Sequence, residues 1–212
     1  MAVIRINKDH VIGVMKKDNV PAAWCESGDT VIFETRDCYN ESLTSTERPQ
    51  GDFQNDMPNP ATGPLYIHGA EKGDILKVDI LKIALNETGI MRSSPTAGVF
   101  HSCFDHRTAF FFDQTKDKLV FDDRLTLDFE PMIGVIGTAP EYPVDTETPE
   151  SHGGNMDVRK IGEGATLYLP VNTNGALLAI GDVHGLMGDG EVFICGLETG
   201  AEVTVTVEVI KG

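Results

Sequence analysis

Short alternating runs of β-branched and apolar residues, each entered through a glycine turn, constrain this chain more than any other feature of its sequence. Thr30-Val-Ile-Phe-Glu-Thr35 and Val203-Thr-Val-Thr-Val-Glu-Val209 repeat with a period of two, which sends successive side chains to opposite faces of a strand. The turns Ser27-Gly-Asp29, Lys72-Gly-Asp74, Glu163-Gly-Ala165 and Thr199-Gly-Ala201 each precede such a run, and their glycines supply the positive φ that a tight turn demands. No window of a dozen residues carries an i, i+3, i+4 apolar stripe with a cap at its start, so helices should be few and short. The pattern predicts an all-β chain, a two-sheet sandwich or jelly-roll-like fold with Val, Ile and Leu inside and polar groups gathered in loops at one end.

A chain of 212 residues with 41% apolar content and no long apolar run can bury a full core as one domain, 1–212. An internal echo sets Tyr66–Ile80 over Phe193–Val207 with Ile, Gly, Glu and Gly coinciding. Duplication into halves of about 1–90 and 131–212 is therefore one reading, and chance similarity of turn-rich strands is the other. Between Glu87 and Phe129 the register is less regular, and the aromatic run Phe110-Phe111-Phe112 points to a hairpin or flap.

Charge narrows the partners. With 17 basic and 33 acidic residues the net charge is −16, a field that repels phosphate backbones and anionic headgroups. We therefore expect no nucleic-acid partner and no membrane association, and the absence of a leader-like or spanning apolar segment predicts a cytoplasmic protein. Cys25, Cys38, Cys103 and Cys195 form no C-x-x-C pair, which fits reduced, packed thiols. Cys103, between His101 and His106, is the candidate if a thiol nucleophile operates.

Potential ligands are densest in two glycine-rich loops, Ser151-His-Gly-Gly-Asn-Met-Asp157 and Gly181-Asp-Val-His-Gly-Leu-Met-Gly-Asp-Gly-Glu191. Asp182 and His184 are two apart, so on a strand they face one side and can share a cation. Asp157, Asp182, His184 and His152 are the candidate metal ligands, and Gly153, Gly154 and Asn155 are candidate substrate contacts because the backbone can approach a ligand closely there. Glu191 is the candidate proton shuttle. Mixed nitrogen and oxygen donors favour zinc as the divalent ion, with manganese or calcium as alternatives. Taken singly, these Asp and Asn residues could equally make Asx turns.

Further motifs run along the chain: Asn59-Pro-Ala-Thr-Gly-Pro-Leu-Tyr-Ile-His-Gly-Ala-Glu-Lys-Gly-Asp74, Gly134-Val-Ile-Gly-Thr-Ala-Pro140, His152-Gly-Gly-Asn-Met-Asp157, Leu167-Tyr-Leu-Pro-Val171, Gly181-Asp-Val-His184 and Gly188-Asp-Gly-Glu191. In content and order they resemble the acetamidase/formamidase family. The resemblance implies hydrolysis of small linear amides to carboxylate and ammonia, a homodimer, and an acidic role for Asp37, where the family also has an acid. Two departures stand out. His68 occupies a place where the family commonly has glutamate, and members are usually longer, with a tail beyond the strand ending at Val209, so part of a substrate cover or dimer contact is the expected difference.

Other hydrolase signatures are missing from the sequence, with no G-x-S-x-G elbow and no S-x-x-K nucleophile pattern, and Gly185–Gly190 lacks the Lys-Ser/Thr of a phosphate loop. Two alternatives to the amidase stay open at this level. One is a non-catalytic, inactive or metal-binding β-sandwich module, and the other is a cupin-like metal enzyme using Asp182, His184 and Glu191.

Overall fold

A computed structural model describes residues 2–44 and 57–212. Two sheets carry the fold. The first has five strands in the order Val3–Ile6, Thr30–Glu34, Ala201–Ile210, Ile75–Leu85, Thr166–Pro170, parallel only in its first pair. The second has nine, running from Gly153–Asn155 through Met132–Gly137, Leu178–His184, Glu198–Thr199 and Thr88–Ser93 to Thr108–Asp113, while Ala61–Ile67 branches from Leu178–His184.

Alternation builds the core between them. Val203, Val205 and Val207 point inward from the first sheet, as do Leu76, Val78 and Ile80 from its long neighbour; Ile133, Ile136, Leu178 and Ile180 meet them from the second. The period of two breaks between Ile80 and Ile83, where the register with Ala201–Ile210 shifts. A bulge of one extra residue turns Leu81 out to solvent, half exposed, and moves the inward set from even to odd positions. The all-β sandwich expected from the sequence is the fold observed, and the only helical segment among the described residues is the 3₁₀ turn His101–Cys103.

The two stretches that echo each other are interleaved in space. Gly73 and Gly200 lead into the long strands Ile75–Leu85 and Ala201–Ile210, which pair antiparallel at the centre of one sheet. The irregular middle is a hairpin, Thr88–Ser93 against Thr108–Asp113 in unbroken register, extending the second sheet. Among the described residues no helix is long and apolar enough to cross a membrane.

Candidate metal and catalytic site

The site grows from the end of the Leu178–His184 strand. Asp182 and His184 are both buried there and point to the same side, as their spacing predicts. Across the ladder, Glu198 is the register partner of His184, which brings His184 Nε2 to 3.1 Å from Glu198 Oε2 and 3.5 Å from Asp182 Oδ1. On the opposite neighbour, Gly134 makes the room. A Cβ at that position would lie 2.5 Å from Asp182 Oδ2 and 2.7 Å from Asp157 Oδ1, so only glycine lets the two carboxylates converge.

These groups line a cavity of about 460 Å³ that also receives Cys38, Tyr39, Asn59, Asn155, Glu191 and Ile194, with Arg92, Arg107 and Glu147 on its walls. Each of three carboxylates is held by one oxygen only. Asn59 Nδ2 donates to Asp182 Oδ2 at 3.1 Å, Asn155 Nδ2 donates to Asp157 Oδ2 at 2.7 Å, and the Gly196 N–H donates to Glu198 Oε1 at 2.7 Å. The other oxygens, Asp182 Oδ1, Asp157 Oδ1 and Glu198 Oε2, are buried without a hydrogen bond among the described residues, and so are His184 Nδ1 and Glu191 Oε1. Buried polar atoms are ordinarily satisfied. With Asn155 Oδ1 there are six such atoms in one cavity, three of them on carboxylates already oriented by a neighbour, and they form a donor set that suits a divalent cation. Two trios of donor atoms lie within 4.8 Å of one another, Cys38, Asp182 and Glu198 in the interior and Asp157, His184 and Glu191 nearer the mouth.

Backbone strain concentrates in the same place. Asn59, Asp157, Asp182, Glu191 and Ile194 have φ between 39° and 59°, a region that costs a residue with a side chain about 1–3 kcal/mol. The electrostatics are correspondingly uneven. Burial pushes Glu191 up to about 8 and Asp157 up to about 6; burial and then the charge of Glu198 push Asp182 up to about 6. Burial opposes a charge on His184, yet Glu198 and Asp182 outweigh it and raise its pKa well above the ordinary histidine value. Burial, then Glu198 and Asp182, hold the Cys38 thiol far above its usual range.

The candidates read from sequence separate into two groups. Asp157, Asp182, His184, Glu191 and Asn155 meet in the cavity. His152 does not line it; its ring is fully buried elsewhere, with neither nitrogen hydrogen-bonded among the described residues, and burial lowers its pKa. Gly153 and Gly154 also lie outside the lining. They belong to the edge strand paired with Met132–Gly137, where a Cβ would collide with the Ile136 and Thr148 carbonyls, so their role is in the sheet rather than at a substrate. Asp37 faces away as well, its Oδ1 accepting from the Tyr39 and Glu41 N–H groups at 2.9 Å in an Asx turn; the cavity takes the next residue, Cys38. Cys103 is exposed on the 3₁₀ turn, and His68 is exposed with its ring edge-on to Tyr66. Sequence reasoning missed Glu198 and Asn59. Glu198 was hidden in the Leu-Glu-Thr-Gly-Ala turn signal, although the internal echo had already marked that glutamate.

The family model for acetamidase/formamidase matches residues 8–148 and 143–212, nearly the whole chain. The chain belongs to this family. A recombinant predicted acetamidase/formamidase from the thermophile Thermoanaerobacter tengcongensis superposes with a TM-score of 0.95 at 43% identity, covering 99% of this chain and 70% of that one. The acetamidase of Bacillus halodurans gives 0.92 at 44% identity over 98% and 70%. In sequence, an acetamidase from Mycolicibacterium smegmatis is 40% identical over 68 residues, 32% of this chain and 17% of that protein. The match thus spans under a fifth of that curated relative, and the chain spans 70% of the thermophile's protein.

Proposed function

We propose that this protein hydrolyses small linear amides of the formamide and acetamide class to carboxylate and ammonia, with a divalent metal ion at the buried acidic centre. The observation that carries the reading is the set of three carboxylates each hydrogen-bonded through one oxygen and not through the other, two of them facing His184 Nε2, in a cavity of a family whose members bear the names acetamidase and formamidase.

Amide cleavage has three requirements: charge against the developing oxyanion, removal of a proton from water, and delivery of a proton to nitrogen so that ammonia can leave. Asp182, His184, Glu198 and Asp157 are the residues that would hold the ion. A divalent cation there would place positive charge against the oxyanion and acidify the attacking water. Glu191, whose burial favours its protonated form near neutrality, is suited to hand a proton to the departing nitrogen and recover it from water. Asn155 and Asn59 keep the carboxylates aimed. Water adds to the carbonyl carbon, the C–N bond breaks, and the nitrogen leaves with the transferred proton. A cytoplasmic homodimer is part of the proposal, supported by free thiols and by exposed aromatic side chains such as Phe110 and Phe121.

The test is ammonia release from formamide, acetamide and propionamide by metal-analysed protein, before and after chelation and re-addition of zinc, manganese or calcium. Turnover lost on chelation and restored by one ion supports the reading. A folded, metal-loaded protein that cleaves none of the three would overturn it in favour of a binding module.

A further inference from the structure

Cys38 belongs to the centre, although its sequence context suggested only packing. Its thiol is buried and lies within 4.8 Å of carboxylate oxygens of Asp182 and Glu198, both only 2% exposed. Those two carboxylates each carry an oxygen with no hydrogen bond among the described residues. Their bare oxygens in turn stand 3.1 and 3.5 Å from His184 Nε2. Adjacent ligands around a zinc ion with bonds of about 2.0 Å are separated by about 3.3 Å at tetrahedral angles, so His184 Nε2 and the two carboxylates stand at the spacing of neighbours on one small cation, with the Cys38 sulfur within 4.8 Å of both carboxylates. The other buried thiols are placed differently. Cys25 sits in the aliphatic core, and Cys195 donates to the Arg92 carbonyl at 3.3 Å.

We infer that Cys38 is a thiolate ligand of the metal, giving a mixed sulfur, imidazole and carboxylate centre that selects zinc and other thiophilic ions over calcium, magnesium and manganese. The inference rests on the metal-dependent reading above. Sulfur is the discriminating donor, because carboxylates and imidazole alone would accept manganese, while hard calcium and magnesium take oxygen. On binding, the thiol exchanges its proton for the cation and one proton passes to solvent. Glu191, of the outer trio, then meets the substrate side of the cavity.

Cobalt(II) reports the ligand without reference to turnover. The metal-stripped wild-type protein is loaded with cobalt, its stoichiometry is measured by elemental analysis, and its absorption is recorded beside Cys38→Ser and Cys195→Ser. One cobalt per chain with an intense near-ultraviolet thiolate-to-cobalt band, retained in Cys195→Ser and lost in Cys38→Ser, is expected. A fall of at least about 10-fold in zinc affinity should accompany the loss. If Cys38→Ser fails to fold, a band retained in Cys195→Ser still assigns Cys38, because it is the cysteine that lines the cavity, while Cys25 lies in the aliphatic core and Cys103 on the exposed 3₁₀ turn; a wild type without the band overturns it. One cobalt bound with no such band, in a protein that still cleaves amides, overturns the Cys38 assignment and leaves the amidase reading standing. A band lost in Cys38→Ser from a protein that cleaves no amide supports the ligand and overturns the amidase. No cobalt bound overturns both the ligand and the metal.

Discussion

Glu191 and Gly134 show how much the site asks of single residues. Glu191 combines a left-handed backbone, a bare buried oxygen and a pKa pushed up to about 8 by burial. Glu191→Gln keeps its shape but cannot shuttle a proton, so steady-state ammonia release should fall about 10²-fold or more with metal content unchanged. Gly134→Ala acts differently. Its methyl would occupy the space of both the Asp182 and Asp157 carboxylates, so metal content, read by elemental analysis, should drop together with activity, while the far-ultraviolet dichroism of the sheets persists. At this scale the sequence was a partial guide. Asp182 and His184 were legible because a period of two is a local rule, and Asp157, Asn155 and Glu191 because they crowd glycine-rich loops. Glu198 and Cys38 were not legible as site residues, since cross-strand pairing with His184 and a half-turn beyond Asp37 are facts of tertiary register. Asp37, read from the sequence as an acid of the site, accepts hydrogen bonds in an Asx turn, and the turn carries the next residue, Cys38, to the cavity.

Among the elements, the long strand Ile75–Leu85 carries the clearest contrast. Ile80 is buried between the sheets and Leu81 is turned out by the bulge. Ile80→Ala should cost about 2–5 kcal/mol in chemical denaturation, whereas Leu81→Ala should stay within about 0.5 kcal/mol. If the two variants lost equal stability, the placement of the bulge would be wrong. The strands themselves were readable from alternation and glycine turns, as with Val203, Val205 and Val207. Their order was not, because Ala201–Ile210 lies between Thr30–Glu34 and Ile75–Leu85 through pairings remote in sequence. The hairpin Thr88–Ser93 with Thr108–Asp113 escaped a firm register for a related reason. Its phenylalanines are apolar on both faces, which erases the period that alternation relies on.

For the whole molecule, the buried acids set how stability follows pH when no metal is bound. Asp157 and Asp182 are raised to about 6 and Glu191 to about 8 in the folded chain, against about 4 for such groups unfolded. Between about pH 4 and pH 8 the folded state therefore holds more protons than the unfolded one, so stability is greatest at the acid end and declines as pH rises through these values. Thermal melts of metal-stripped protein should show a midpoint falling from pH 5 to pH 8, with zinc flattening the fall; a metal-free midpoint that rises over the same range would contradict the burial of these groups. The cavity's geography has a mechanical side too. Its walls come from chain segments as far apart as Cys38 and Glu198, and a contact that closes so long a loop removes freedom from the unfolded chain. A cation bound there would work as a buckle on the sandwich, tying early and late strands into one unfolding unit, so that a protease should cut the metal-loaded chain more slowly than the metal-free one.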